Sequence, residues 1–180
     1  MSSHQAAWYA VYTRSRHEKQ VATFLARQGL EVYLPLRRTW SSRKDRKLTI
    51  EVPALPGYLF VKCVLYAETR ALLKRSAGVI HLVDSVGKPA VIPEAQVESL
   101  RTALAAAVNA EGHPYLKAGE RVRVIRGPLI GAEGQLLRVA ESRHRLVLSI
   151  DYVNQAVSVE IDAADVDRVE QERRVLAHAA

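Results

Sequence analysis

The run Tyr58-Leu59-Phe60-Val61-Lys62-Cys63-Val64-Leu65, entered through Leu55-Pro56-Gly57, constrains the fold of this chain more than any other stretch. A short apolar run bounded by Pro-Gly reads as a buried strand that begins at a tight turn. Tyr58 brings a phenol to its first position. A stiff turn feeding an aromatic strand suggests a surface built to hold something.

On either side of this strand the pattern alternates. Trp8–Tyr12 is a short aromatic strand candidate. Arg14 and Arg16 follow it, and a helix is expected from His17 to Gln28, with Val21, Phe24 and Leu25 at helical spacing and Gly29 as its stop. Glu31–Leu36 reads as a strand. Residues 37–52 read as two extended arms around a polar tip, Ser41 to Lys47, where Arg43, Lys44, Arg46 and Lys47 crowd four cations. Ala67–Arg75 is expected to be a helix ended by Gly78, followed by a strand at Val79–Val83 and a turn at Gly87-Lys88-Pro89. A last helix from Pro93 carries Val97, Leu100, Leu104 and Val108 on one stripe. Residues 1–108 therefore predict an α/β sandwich.

Periodicity lapses at 109–118 (NAEGHPYLKA), which reads as a linker long enough for independent motion of two domains. Beyond it the pattern is all-β. Arg121–Ile125, Gln135–Val139, Leu146–Ile150 and Ala156–Ile161 alternate between turns at Gly127-Pro128, Gly131 and Gly134. About five short strands in so little chain predict a small barrel over 119–170, with a tail at 171–180. The overall class is α+β.

The charge is divided unevenly. Residues 1–110 hold 16 Lys/Arg against 8 Asp/Glu, and residues 111–180 hold 10 against 11, within a total of +7. A polyanionic partner is thus expected to meet the first half. The single Cys63 excludes an intrachain disulfide framework and suits a reducing compartment. No stretch approaches a membrane span and the first residues lack a signal-peptide pattern, so a soluble cytoplasmic protein, working as a monomer away from membranes, is expected.

Catalytic chemistry finds little to work with. The six histidines show no ligand spacing. Cys63 lies within a strand, where a buried thiol is inert. Glu160, Asp162, Asp165 and Asp167 lack the glycine-bearing loop of a calcium motif, and the glycines of the second half open no phosphate-binding helix. No catalytic residue, metal or cofactor is expected. Binding remains.

At WYAVYTRSR (8–16), LPGYLFVKC (55–63) and RVRVIRGPLIGAEGQLLRV (121–139) the chain resembles the NusG family of transcription elongation factors, with their NGN domain, linker and KOW barrel. The stretch from Trp8 to Pro93 is similar in style to the specialised RfaH-like paralogs, whereas the KOW half is similar to ordinary NusG. Around Thr69-Arg70-Ala71 the chain departs from the His/Thr-rich segment with which RfaH-like proteins touch the polymerase β subunit. The resemblance implies an antitermination role and a pocket for the clamp helices of RNA polymerase. Tyr12, Leu55, Tyr58 and Phe60 would line that pocket, and Pro56-Gly57 would fix its rim. It also implies that Arg14, Arg16 and Arg75 face the upstream fork and the non-template DNA strand, and the 43–47 cations could reach a phosphate backbone. Tyr152 and Val153, in an exposed turn of the barrel, would contact Rho or a small-subunit ribosomal protein. Two other readings stand beside this one: a general NusG acting with Rho, and a KOW-type RNA-binding protein of the ribosome. For Phe60 taken alone, a core position is the better reading.

Overall fold

The computed structural model describes residues 5–40, 48–106, 111–114, 120–140, 143–150 and 153–169. The first half runs β1 (Ala7–Thr13), α1 (Glu18–Arg27), β2 (Glu31–Tyr33), β3 (Leu36–Trp40), β4 (Thr49–Pro53), β5 (Tyr58–Cys63), α2 (Ala67–Arg75), β6 (Val79–Leu82), β7 (Asp84–Ser85), β8 (Lys88–Pro89), β9 (Val91–Ile92) and α3 (Glu94–Ala106). Its main sheet has the order β2-β5-β1-β6, with β9 also paired to β1. The apolar run at 58–65 supplies β5, antiparallel to both β1 and β2.

Strand alternation divides the side chains between two faces. Tyr9, Val11, Leu59, Val61 and Cys63 pack with Val21 and Leu25 of α1 and Leu73 of α2. Trp8, Ala10 and Phe60 face the other way, into a cluster with Val97, Leu100 and Ala103 of α3. Helix α1 stops where expected: Leu30 N–H donates to Leu25 C=O and Gly29 N–H to Ala26 C=O, with Gly29 left-handed at φ 81°. The expected strand at 31–36 is shorter than its pattern. Pro35 interrupts it, and Leu36 instead opens a separate hairpin in which β3 and β4 pair from Leu36↔Pro53 to Trp40↔Thr49. Lys19 Nζ fastens this hairpin to α1 by donating to Glu51 C=O at 2.9 Å.

The second half is all-β as expected: β10 (Glu111–Pro114), β11 (Glu120–Val124), β12 (Glu133–Ala140), β13 (Arg143–Ile150), β14 (Gln155–Ile161), a 3₁₀ turn at Ala163–Asp165, and β15 (Val166–Arg168). All neighbours in the order β10-β14-β13-β12-β11-β15 are antiparallel. Gly134 is required where β12 crosses β13, because a Cβ there would lie 2.5 Å from the Val147 carbonyl oxygen. Its core gathers Val122, Val124, Leu146, Leu148, Val157 and Val159.

Two features differ from a pair of domains moving freely on a linker. Glu111–Pro114, inside the segment that reads as linker, forms β10 and pairs with β14 from Glu111↔Ser158 to Pro114↔Gln155. The barrel also rests on α3. One apolar cluster continues from Leu100 and Ala103 into the barrel core, and Glu133 N–H donates to the buried Ser99 hydroxyl at 2.9 Å.

Candidate functional site

Leu55-Pro56-Gly57-Tyr58 closes as a β-turn, with Tyr58 N–H donating to Leu55 C=O at 3.1 Å. Gly57 sits at φ 83° in the third position after Pro56 in the second, the pattern of a type II turn. Space demands glycine as well: a Cβ at 57 would lie 2.9 Å from Cε2 of Tyr12. The turn is bonded from two sides. Thr13 N–H and Thr13 Oγ1–H both donate to Gly57 C=O, at 2.8 and 3.3 Å. Gly57 N–H donates to Oε1 of Glu18 at 2.9 Å, and Glu18 is itself buried on the first turn of α1. A carboxylate at that position gives a buried amide a strong acceptor.

This turn delivers Tyr58 to a position directly across from Tyr12. The two rings lie 5.0 Å apart and tilted by 42°. Tyr12 in turn pairs with His81 on β6, with ring centroids 5.3 Å apart at 52°. Three strands thus present one aromatic row, Tyr58–Tyr12–His81, in the tilted geometry such rings prefer. Tyr12 and Tyr58 are half-buried and His81 is exposed. Burial, and then the neighbouring Tyr12 phenol, push the Tyr58 hydroxyl above its ordinary pKa. It stays protonated and able to donate. The apolar ring bodies with polar tips suit a protein surface better than a reactive centre.

Of the residues expected to line the pocket, Tyr12 and Tyr58 come together, with Pro56 exposed and Gly57 buried at the rim. Leu55 and Phe60 do not join them. Both are fully buried, Phe60 against Tyr33 with centroids 6.3 Å apart and planes within 23°. They shape the site from beneath and offer nothing to a partner. His81 escaped the sequence reading because its place beside Tyr12 depends on β6 pairing with β1, a contact across nearly 70 residues. Glu18 escaped it too, since nothing local marks a carboxylate that serves a turn 39 residues away.

Arg14, Arg16 and Arg75 are all exposed. Arg14 N–H donates to Gly78 C=O at 2.8 Å, which ties the loop after β1 to the turn after α2. Gly78 allows that approach, because a Cβ there would lie 2.9 Å from His17 Cβ. Arg43, Lys44, Arg46 and Lys47 lie outside the described residues, although the arms that carry them are paired.

In the barrel, Val153 corrects the expectation of an exposed contact: it is 2 % exposed and belongs to the apolar core. Asn154, left-handed at φ 56°, forms the tip of the turn, and Val153 is directed inward. Tyr152 lies outside the described residues. The next residue, Gln155, donates its side-chain amide to Pro56 C=O at 3.2 Å, so this turn reaches the rim of the aromatic site.

Burial raises the Cys63 thiol above its ordinary range, consistent with an inert side chain. Asp162 accepts from Ala164 N–H and Asp167 from Arg168 N–H, which assigns two of the clustered carboxylates to local turns. Among the described residues no group of three or more His, Cys, Asp or Glu side chains is arranged to hold a metal ion. None of their helices is long and apolar enough to cross a membrane.

The family model described as "Transcription termination factor nusG" matches residues 6–101, just over half of the chain. Curated relatives include the transcription termination/antitermination protein NusG of Borreliella burgdorferi, 26% identical with 91% of this chain and 98% of the relative covered. That of Rickettsia conorii is 22% identical, with 89% of each covered. A solved structure of Thermotoga maritima NusG, concerned with domain interaction in that protein, shares the fold at a TM-score of 0.56 and 19% identity, covering 92% of this chain and 98% of that one.

Proposed function

Because this chain belongs to the NusG family, we propose that it is a transcription elongation factor that grips the clamp helices of RNA polymerase through the aromatic row Tyr58–Tyr12–His81. The observation that carries this reading is the row itself. It is half-exposed and built on a turn held by Glu18 and Thr13. Aromatic side chains in a pre-set frame lose little entropy on docking and dominate interface energetics. Arg14, Arg16 and Arg75 are exposed, and contacts from them to phosphates of the upstream fork and non-template strand would add affinity without choosing sequence. Steadying the fork suppresses pausing and termination.

The barrel recruits a further partner, Rho or a small-subunit ribosomal protein. The general role is favoured over an RfaH-like specialised one by relatives named for both termination and antitermination that match along 89–98% of their own length. The test is capture of core RNA polymerase by the full chain, followed by pausing and termination assays with and without Rho. Capture with shortened pauses is expected. Failure to bind polymerase at any attainable concentration would remove the reading.

A further inference from the structure

Between α3 and β11 the chain lends four residues, Glu111–Pro114, to the barrel sheet as β10. We propose that β10 is a releasable strap. Paired with β14, it holds the barrel close to α3; released, it lets the barrel out on a much longer tether.

The strand's own chemistry supplies the first reason. Along its other edge, β14 pairs with β13 at seven consecutive positions, from His144↔Ile161 to Ile150↔Gln155. With β10 it pairs at only four, from Glu111↔Ser158 to Pro114↔Gln155. Glu, Gly and Pro are all depleted in strands. Gly112 gives up the most backbone freedom on pairing, and Pro114 has no N–H to donate. β10 also stands last in the sheet order, so among the described strands β14 alone holds it. The barrel core gathers Val122, Val124, Leu146, Leu148, Val157 and Val159 from β11, β13 and β14, which can close on one another without it.

Chain length supplies the second. While β10 is paired, five residues lead from Ala106 at the end of α3 to Glu111, a span of at most about 17 Å. Once it is released, the tether runs fourteen residues from Ala106 to Glu120 at the start of β11, at most about 48 Å.

The contacts between the two halves lie within the shorter reach. Glu133 N–H donates to the Ser99 hydroxyl of α3. Gln155, the register partner of Pro114, donates its side-chain amide to Pro56 C=O. Leu100 and Ala103 continue the apolar cluster into the barrel. A short tether raises the effective concentration of each of these contacts, and release lowers it for all of them together. A weak four-residue ladder therefore governs a joint far larger than itself.

The experiment follows the full chain, without any partner, by amide hydrogen exchange, nitrogen-15 relaxation and small-angle X-ray scattering. In the natural chain, amides of residues 111–113 should exchange faster than those of Leu146 and Leu148 by about tenfold or more. A second form carries Gly112→Pro with His113→Pro. Alternate residues of an antiparallel edge strand donate to the ladder, so one of two adjacent prolines removes a donor whichever phase β10 has. Its halves should tumble independently at a larger radius of gyration, with the barrel signals kept. A third form carries Glu111→Cys with Ser158→Cys, directly opposite in the register, while Cys63 is buried and stays out of the pair. Oxidised, it should tumble as one body; its reduced form is the control for the two substitutions. The proposal is overturned by exchange at 111–113 as slow as in the barrel core, or by a proline variant that tumbles as one body or loses the barrel fold. Failure of the disulfide to form under oxidant, or independent tumbling once it has formed, would overturn it equally.

Discussion

Two ends of the same strand pair carry aromatic side chains on the same face of the sheet, yet they have opposite fates. At one end, Trp8 opposite Lys62 and Ala10 opposite Phe60 lie beneath α3. Arg101 of that helix sets its guanidinium over both the Trp8 and Tyr33 rings, at 5.7 and 4.9 Å. At the other end, Tyr12 opposite Tyr58 is only half-covered and gains His81 as a third ring. Strand chemistry alone does not distinguish the ends. The site begins where the cover of α3 stops.

Phe60→Ala separates the two ends with the largest expected effect. If Phe60 is core, truncation should lower stability by about 3–5 kcal/mol through lost burial and a cavity, measured by denaturant unfolding. A surface-like loss of a few tenths would place Phe60 with Tyr58 after all. Gly57→Ala should cost about 1–3 kcal/mol, since φ 83° and the close Tyr12 ring both oppose a side chain; a small loss would show that the turn readily shifts. Glu18→Ala should cost about 1–3 kcal/mol by orphaning the buried Gly57 amide. A crystal structure should then show the 55–58 turn displaced, whereas an unmoved turn would show that Thr13 and Gln155 suffice to hold it.

The smallest effect lies where the barrel meets α3. Hydrogen bonding from Arg123, with the charges of Arg123 and Arg121, holds the Glu133 carboxyl below its ordinary range against the effect of burial. A depressed folded value means that its contribution is complete above the unfolded pKa of about 4.3 and is lost as pH falls through the lower folded value. Glu133→Gln should therefore narrow the stability gap between neutral and acid solution, seen as melting temperatures at pH 7 and pH 3. An unchanged gap would show the ion pairs to be too well solvated to matter.

What was legible in the sequence follows range. Helix and strand types were, because Val21 and Leu25, or Val157 and Val159, carry their period within a few residues. That Tyr12 and Tyr58 share a site was legible only through the family resemblance, because their pairing joins strands far apart in the sequence. Cover was not. The burial of Phe60 depends on α3, some 40 residues later, and His81 depends on which strand lies beside β1. Glu111–Pro114 looked like linker because Gly112 and Pro114 break periodicity, yet an available edge on β14 gives those residues a ladder. Val153 looked exposed because it sits in a turn, but the left-handed Asn154 turns the chain so that Val153 faces the core.

In the proposed function one end of this sheet face docks to polymerase, while the other end is core. The direct measurement is the affinity of core RNA polymerase for the full chain carrying Tyr12→Ala with Tyr58→Ala, set beside the same variant's unfolding free energy. Truncating half-exposed anchors of an interface costs about 2 kcal/mol or more of binding. The expected result is a loss of at least roughly thirtyfold in affinity from a protein that still unfolds cooperatively and keeps its circular dichroism. Wild-type affinity in that folded variant would contradict the account.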